Sequence, residues 1–96
     1  MKAVLRLHEK FQLSNRFLIE MAIFEINDKK QYPDGVKYRL VCLDMTSLEK
    51  VLMDNHYPKG HHIHIDDKEL KYDFISYEKL IADFKMLIKQ NLGAEV

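Results

Sequence analysis

A single α+β domain, a mostly antiparallel β-sheet packed by one C-terminal α-helix, is the fold that three features of the sequence predict. Apolar and polar residues alternate through much of the chain up to residue 75, the period of half-buried strands. Turn chemistry separates these runs at Ser14-Asn15, Pro33-Asp34-Gly35, Asp44 to Ser47 and Asp66-Asp67-Lys68. After Ser76 the period changes once, to that of a helix. With 96 residues, 47% of them hydrophobic, the chain reads as one domain (1–96) with enough apolar mass for a core.

Taken in order, Ala3, Leu5, Leu7 and Phe11 alternate with Lys2, Arg6, His8 and Lys10, which predicts a strand with one apolar and one basic face. Arg6 and Lys10 on that basic face are candidates for substrate contact; the plain alternative is a solvated face. Phe17 to Ile26 is apolar on both sides except at Glu20 and Glu25, as expected of an interior strand closing a hairpin with the first. Tyr38 to Leu43 predicts a third strand and Leu48 to Met53 a shorter fourth. His62-Ile63-His64-Ile65 alternates again, and Leu70, Tyr72 and Phe74 mark a further extended segment. Ser76 is a good N-cap, with Glu78 in the first turn. Leu80, Ile81, Phe84, Leu87 and Ile88 then fall at helical spacing, with Lys79, Asp83 and Lys89 on the other side and Gly93 as a stop.

Composition narrows the function classes. Lys+Arg and Asp+Glu are both 15, so bulk charge does not hold a polyanion, although a local basic face remains open. Residues 1–39 carry eight Lys/Arg against five Asp/Glu and residues 40–96 seven against ten, a +3/−3 asymmetry that suits head-to-tail homo-oligomers or contact with a partner. The one cysteine, Cys42, excludes an internal disulfide and a CxxC zinc motif, and its apolar setting suits a core thiol. No apolar run approaches the ~20 residues of a membrane span. Charges interrupt the start Met1-Lys2-Ala3-Val4-Leu5-Arg6, so no signal peptide and a cytoplasmic location are expected.

Chemistry concentrates between Asp54 and Asp66, where four of the five histidines lie within nine residues. On a strand, His62 and His64 share a face and His61 points the other way. A same-face imidazole pair suits general acid–base cleavage of a phosphodiester without a cofactor. One ring takes the 2′-hydroxyl proton and the other protonates the leaving oxygen. Lys59 and the backbone around Gly60 are placed to stabilise the charged phosphorane. His61, His56 and Tyr57 are candidates for substrate contact from the same loop. The same pair also suits metal binding, with Asp66, Asp54 or His56 completing the shell around His62 and His64. Spacing alone does not choose between these chemistries, or between either and a His-rich surface loop.

Asp54-Asn55, Lys59-Gly60-His61-His62-Ile63-His64, Tyr72-Asp73-Phe74 and Ser76 to Phe84, in this order, resemble the TumE family. The Lys-Gly-His-His-x-His run is the specific part, and the likeness covers nearly the whole chain. The resemblance implies the toxin half of a prokaryotic toxin–antitoxin pair, directed at RNA and neutralised by a cognate antitoxin. Catalytic roles for His62, His64 and Lys59 rest on the chemistry above. Two alternatives stay open: a metal-dependent phosphodiesterase using the same histidines, and a non-catalytic module that binds a protein through its sheet edge or basic face.

Overall fold

In a computed structural model, which describes residues 2–96, six strands form one sheet. They are β1 (Ala3–Leu13), β2 (Phe17–Ile26), β3 (Val36–Asp44), β4 (Lys50–Asp54), β5 (His62–Ile65) and β6 (Lys68–Lys71), followed by the helix α1 (Tyr77–Leu92). Every strand pairs antiparallel with its neighbour in sequence, so the sheet is a meander without crossovers. Local connections suffice for such a sheet, and the turns fit them. Ser14 and Asn15 both adopt the left-handed region (φ 50° and 54°), as a tight hairpin demands, and Arg16 N–H closes the turn on the Leu13 carbonyl at 3.1 Å.

Alternation decides which side chains enter the core. Ile19, Cys42 and Val51 stand in one cross-strand row, and Met21, Leu40, Met53 and Ile63 in the next, all buried. α1 closes this face with Leu80, Phe84 and Ile88, which are buried, and Ile81 and Leu87, which are partly so. The helix begins where Ser76 Oγ accepts the Lys79 N–H at 3.1 Å. It ends at Gly93, whose left-handed φ of 72° lets its N–H return to the Lys89 carbonyl. Cys42 is fully enclosed; burial first, and then the nearby Asp44 charge, push its thiol up to about 11, which keeps it protonated and unreactive.

Three local features differ from the sequence expectation. A bulge between Leu5 and Leu7 breaks the period of β1. Leu5 pairs with Phe24 and Leu7 with Ile23, so the basic residues no longer share one stripe. Arg6 pairs with Glu25, while His8 and Lys10 lie opposite Ala22 and Glu20. Leu48 is no strand residue: it takes a left-handed φ of 67° and is 73% exposed, and β4 starts at Lys50. Only Asp66 and Asp67 form the turn before β6, which ends at Lys71, so Tyr72 and Phe74 belong to the connection that carries the chain over to α1.

The β3–β4 turn is held by Asp44, a carboxylate with 2% exposure. Arg16 donates from Nε to both its oxygens at 3.2 Å and from Nη2 to Oδ2 at 2.8 Å, and the Thr46 and Ser47 N–H groups add bonds at 2.9 and 3.2 Å. The Arg16 hydrogen bonds above all, helped by those backbone donors and opposed by desolvation, hold the carboxyl well below its ordinary 3.8.

Two outcomes follow from this packing. Phe84→Ala should cost about 3–5 kcal/mol in chemical denaturation, and a loss below about 1 kcal/mol would contradict the placement of Phe84 at the centre of the core. For Asp44 the folded carboxyl is harder to protonate than the unfolded one. As pH falls through the ordinary value of 3.8 the unfolded chain therefore takes up the proton first, and the contribution of Asp44 is lost. The stability difference between wild type and Asp44→Asn should accordingly be full near neutrality and narrow below about pH 4. A difference independent of pH would refute it.

Candidate functional site

The face of the sheet away from α1 carries His62 and His64, the central candidates. Two cross-strand rows run over it: His8, Ala22, Arg39, Asp54, His62 and Lys71 in one, and Lys10, Glu20, Val41, Leu52, His64 and Glu69 in the other. Strand parity adds Lys37 and Lys50, so this face bears five Lys/Arg (Lys10, Lys37, Arg39, Lys50, Lys71) against three carboxylates (Glu20, Asp54, Glu69). Between them lies a half-buried apolar floor that includes Ala22, Phe24, Val41 and Leu52. A neutral chain thus presents a locally cationic surface.

His62 and His64 meet there edge to face, with ring centroids 4.6 Å apart. His62 is 6% exposed, and both its ring nitrogens face oxygens. Nδ1 lies 2.8 Å from the Gly60 carbonyl oxygen, which can only accept, so Nδ1 carries a proton. Nε2 lies 2.8 Å from Asp54 Oδ1, within ion-pair distance. That oxygen is nevertheless buried without a hydrogen bond. Across β5 and β6, Glu69 pairs with His64 in register, and Lys59 Nζ donates to Glu69 Oε1 at 2.7 Å. This hydrogen bond, opposed by desolvation and helped by the charges of Lys59, His64 and His62, holds the Glu69 carboxyl below its ordinary value. One ligating atom from each of His62, His64 and Glu69 falls within 4.8 Å of the others.

The other candidates lie elsewhere. His61 turns to the opposite side, as strand parity predicts. Its Nε2 is 2.7 Å from Asp34 Oδ2, its Nδ1 2.9 Å from the Tyr38 hydroxyl, and its ring stacks on Tyr38 and Phe74. With both nitrogens committed, His61 holds the loop to the body of the protein. His56 is exposed and, with Phe24, Lys37, Arg39 and Asp54, lines a hollow of about 440 Å³ beside the first row. Tyr57 projects to solvent, its backbone N–H donating to the Tyr32 hydroxyl at 3.3 Å. Asp66 sits in the turn, its Oδ1 accepting the Lys50 N–H at 3.1 Å, and Glu69 is the carboxylate beside the imidazoles instead. Lys10 reaches the open face; Arg6 is taken up by Glu25.

Glu69, Arg39 and Lys71 escape the sequence reading as site residues, and Asn55 enters it only through the family resemblance, without a structural role. For Glu69 a signal existed: a two-residue turn at Asp66-Asp67 forces residue 64 to pair with residue 69. Asn55, 3% exposed, accepts the Tyr38 N–H at 2.9 Å and donates to the Val36 carbonyl at 2.7 Å. It thereby continues the β3 ladder past the end of β4 and roots the histidine loop.

Fold and site together define a small antiparallel α+β domain whose uncovered sheet face presents paired imidazoles among Lys, Arg and carboxylates. A family model described as Toxin TumE matches residues 2–92, and the chain belongs to this toxin family, as the resemblance in its sequence implied. Membership brings toxin function and an antitoxin partner with it. No curated protein and no solved structure matches the chain. Among the described residues no helix is long and apolar enough to cross a membrane.

Asn55→Ala should cost about 1–3 kcal/mol, because it strands a buried N–H and a buried carbonyl. Denaturant unfolding measures it, and an unchanged midpoint would show that water replaces the side chain without loss.

Proposed function

We propose that this toxin is an endoribonuclease that cleaves RNA in the cytoplasm without a metal, using His62 and His64 as its acid–base pair. The observation that carries the proposal is the pairing of the two rings at 4.6 Å on a cationic face, with Lys59 tethered beside them through Glu69. His64, the more open of the two, takes the proton of the 2′-hydroxyl, which then attacks the adjacent phosphorus. His62 gives its Nε2 proton to the departing 5′-oxygen. Asp54 Oδ1 lies 2.8 Å from Nε2, beside the proton that His62 delivers. Lys59 stabilises the charge on the phosphorane. Arg39, Lys71 and Lys10 lie along the two rows to hold flanking phosphates, and Phe24 and Tyr57 offer surfaces on which bases stack. The cognate antitoxin acts by covering this face or distorting it.

The test is cleavage of a short RNA by purified variants. His62→Ala and His64→Ala should each lose about 10²–10⁴ in rate, the usual worth of one acid–base group. Lys59→Ala should lose about 10²–10³, the worth of one charge-stabilising donor. His61→Ala, once corrected for the fraction folded, should lose far less than either imidazole variant. Full activity in His64→Ala would end the proposal.

A further inference from the structure

We propose that His62, His64 and Glu69 also form a binding site for a divalent transition-metal ion of the zinc class, and that its occupancy switches the imidazole pair off. The inhibitory half of this inference rests on the ribonuclease reading; the binding half does not.

Three observations converge on the site. Its ligating atoms already lie within 4.8 Å of one another, so an ion near 2.0–2.1 Å from each needs only small side-chain adjustments. Two imidazoles and one carboxylate form a donor set suited to zinc, cobalt or nickel, whereas magnesium and calcium favour oxygen alone. The surroundings then match what a ligating imidazole requires. Such a ring commonly donates its other N–H to a carbonyl, and His62 Nδ1 does so to Gly60 at 2.8 Å, which leaves Nε2 to face the ion. Beside Nε2 lies Asp54 Oδ1, a buried acceptor with no hydrogen bond, in a place where a cation would compensate it. Lys59 marks the same demand for positive charge at the far side, its ammonium 2.7 Å from Glu69 Oε1. A metal ion would displace that ammonium and keep the fourth position for water or a phosphate oxygen.

Metal occupancy and acid–base cleavage exclude each other on this geometry. The ion takes the lone pair that a general base needs and displaces the proton that a general acid delivers. No bond other than the coordinate ones is made or broken, and chelation reverses the effect.

The experiment uses untagged full-length protein, treated with chelator and dialysed. Co²⁺ is titrated while its visible absorption is followed, and Zn²⁺ is titrated by calorimetry. One saturable site is expected. His64→Ala and Glu69→Gln should each weaken Zn²⁺ binding by at least about tenfold. His56→Ala, which alters a histidine of the same loop outside the donor set, should bind as the wild type does. Excess Zn²⁺ should stop RNA cleavage, and EDTA should restore it. Absence of a saturable site, or binding that survives both ligand variants, overturns the inference. Cleavage in chelator by a protein that binds no zinc sinks this inference alone. Zinc binding by a protein that cleaves no RNA sinks the ribonuclease reading and leaves the metal site. Cleavage that requires zinc keeps the site and overturns its inhibitory role.

Discussion

Register across β3, β4 and β5 is the constraint on which the site depends. Asp54 faces His62, and Leu52 faces His64, only because Met53 pairs with Ile63 on the other face. A slip of one residue would send both imidazoles into the core and two apolar side chains to water. Each buried side chain of the Leu40, Met53 and Ile63 row contributes about 1.5–3 kcal/mol, so that slip is strongly disfavoured. The histidine-bearing face is therefore set by the hydrophobic face behind it. Asn55 extends the same ladder by two hydrogen bonds and fixes where the loop leaves the sheet.

Charge is organised in the same way. Net neutrality conceals a division in which five Lys/Arg on strands stand on the uncovered face against three carboxylates. Two of those carboxylates, Asp54 and Glu69, are bound up with the histidines and Lys59, and the third, Glu20, lies 3.3 Å from His8. A polyanion approaching this face meets Arg39, Lys71 and Lys10 less fully compensated than the overall balance suggests. Proton, ammonium and metal ion are alternative cations for the same small set of acceptors, which ties the proposed catalysis to its proposed control.

Much of this was legible in the sequence. The fold class, the helix from its Ser76 cap to its Gly93 stop, the core thiol and the division of His61 from His62 and His64 all follow from periodicity and capping chemistry, which are local. What escaped was non-local or irregular. The bulge at Leu5–Leu7 leaves no mark in an alternating pattern, so the basic stripe on β1 looked continuous. Asp66 looked closer to the histidines than Glu69 because distance along the chain stood in for distance in space. Pairing through the tight turn reverses that order. Arg39 and Asn55 depend on pairing between strands joined by loops whose length does not set register.

The chemistry of the cut ends is the most direct measure of the central claim, that an imidazole pair cleaves RNA without a metal. A short RNA is incubated with the protein in EDTA, and the termini of the products are determined by mass spectrometry. Attack by the 2′-hydroxyl under acid–base catalysis predicts a 2′,3′-cyclic phosphate on one fragment and a 5′-hydroxyl on the other. A 5′-phosphate with a 3′-hydroxyl would place water as the nucleophile and contradict the account.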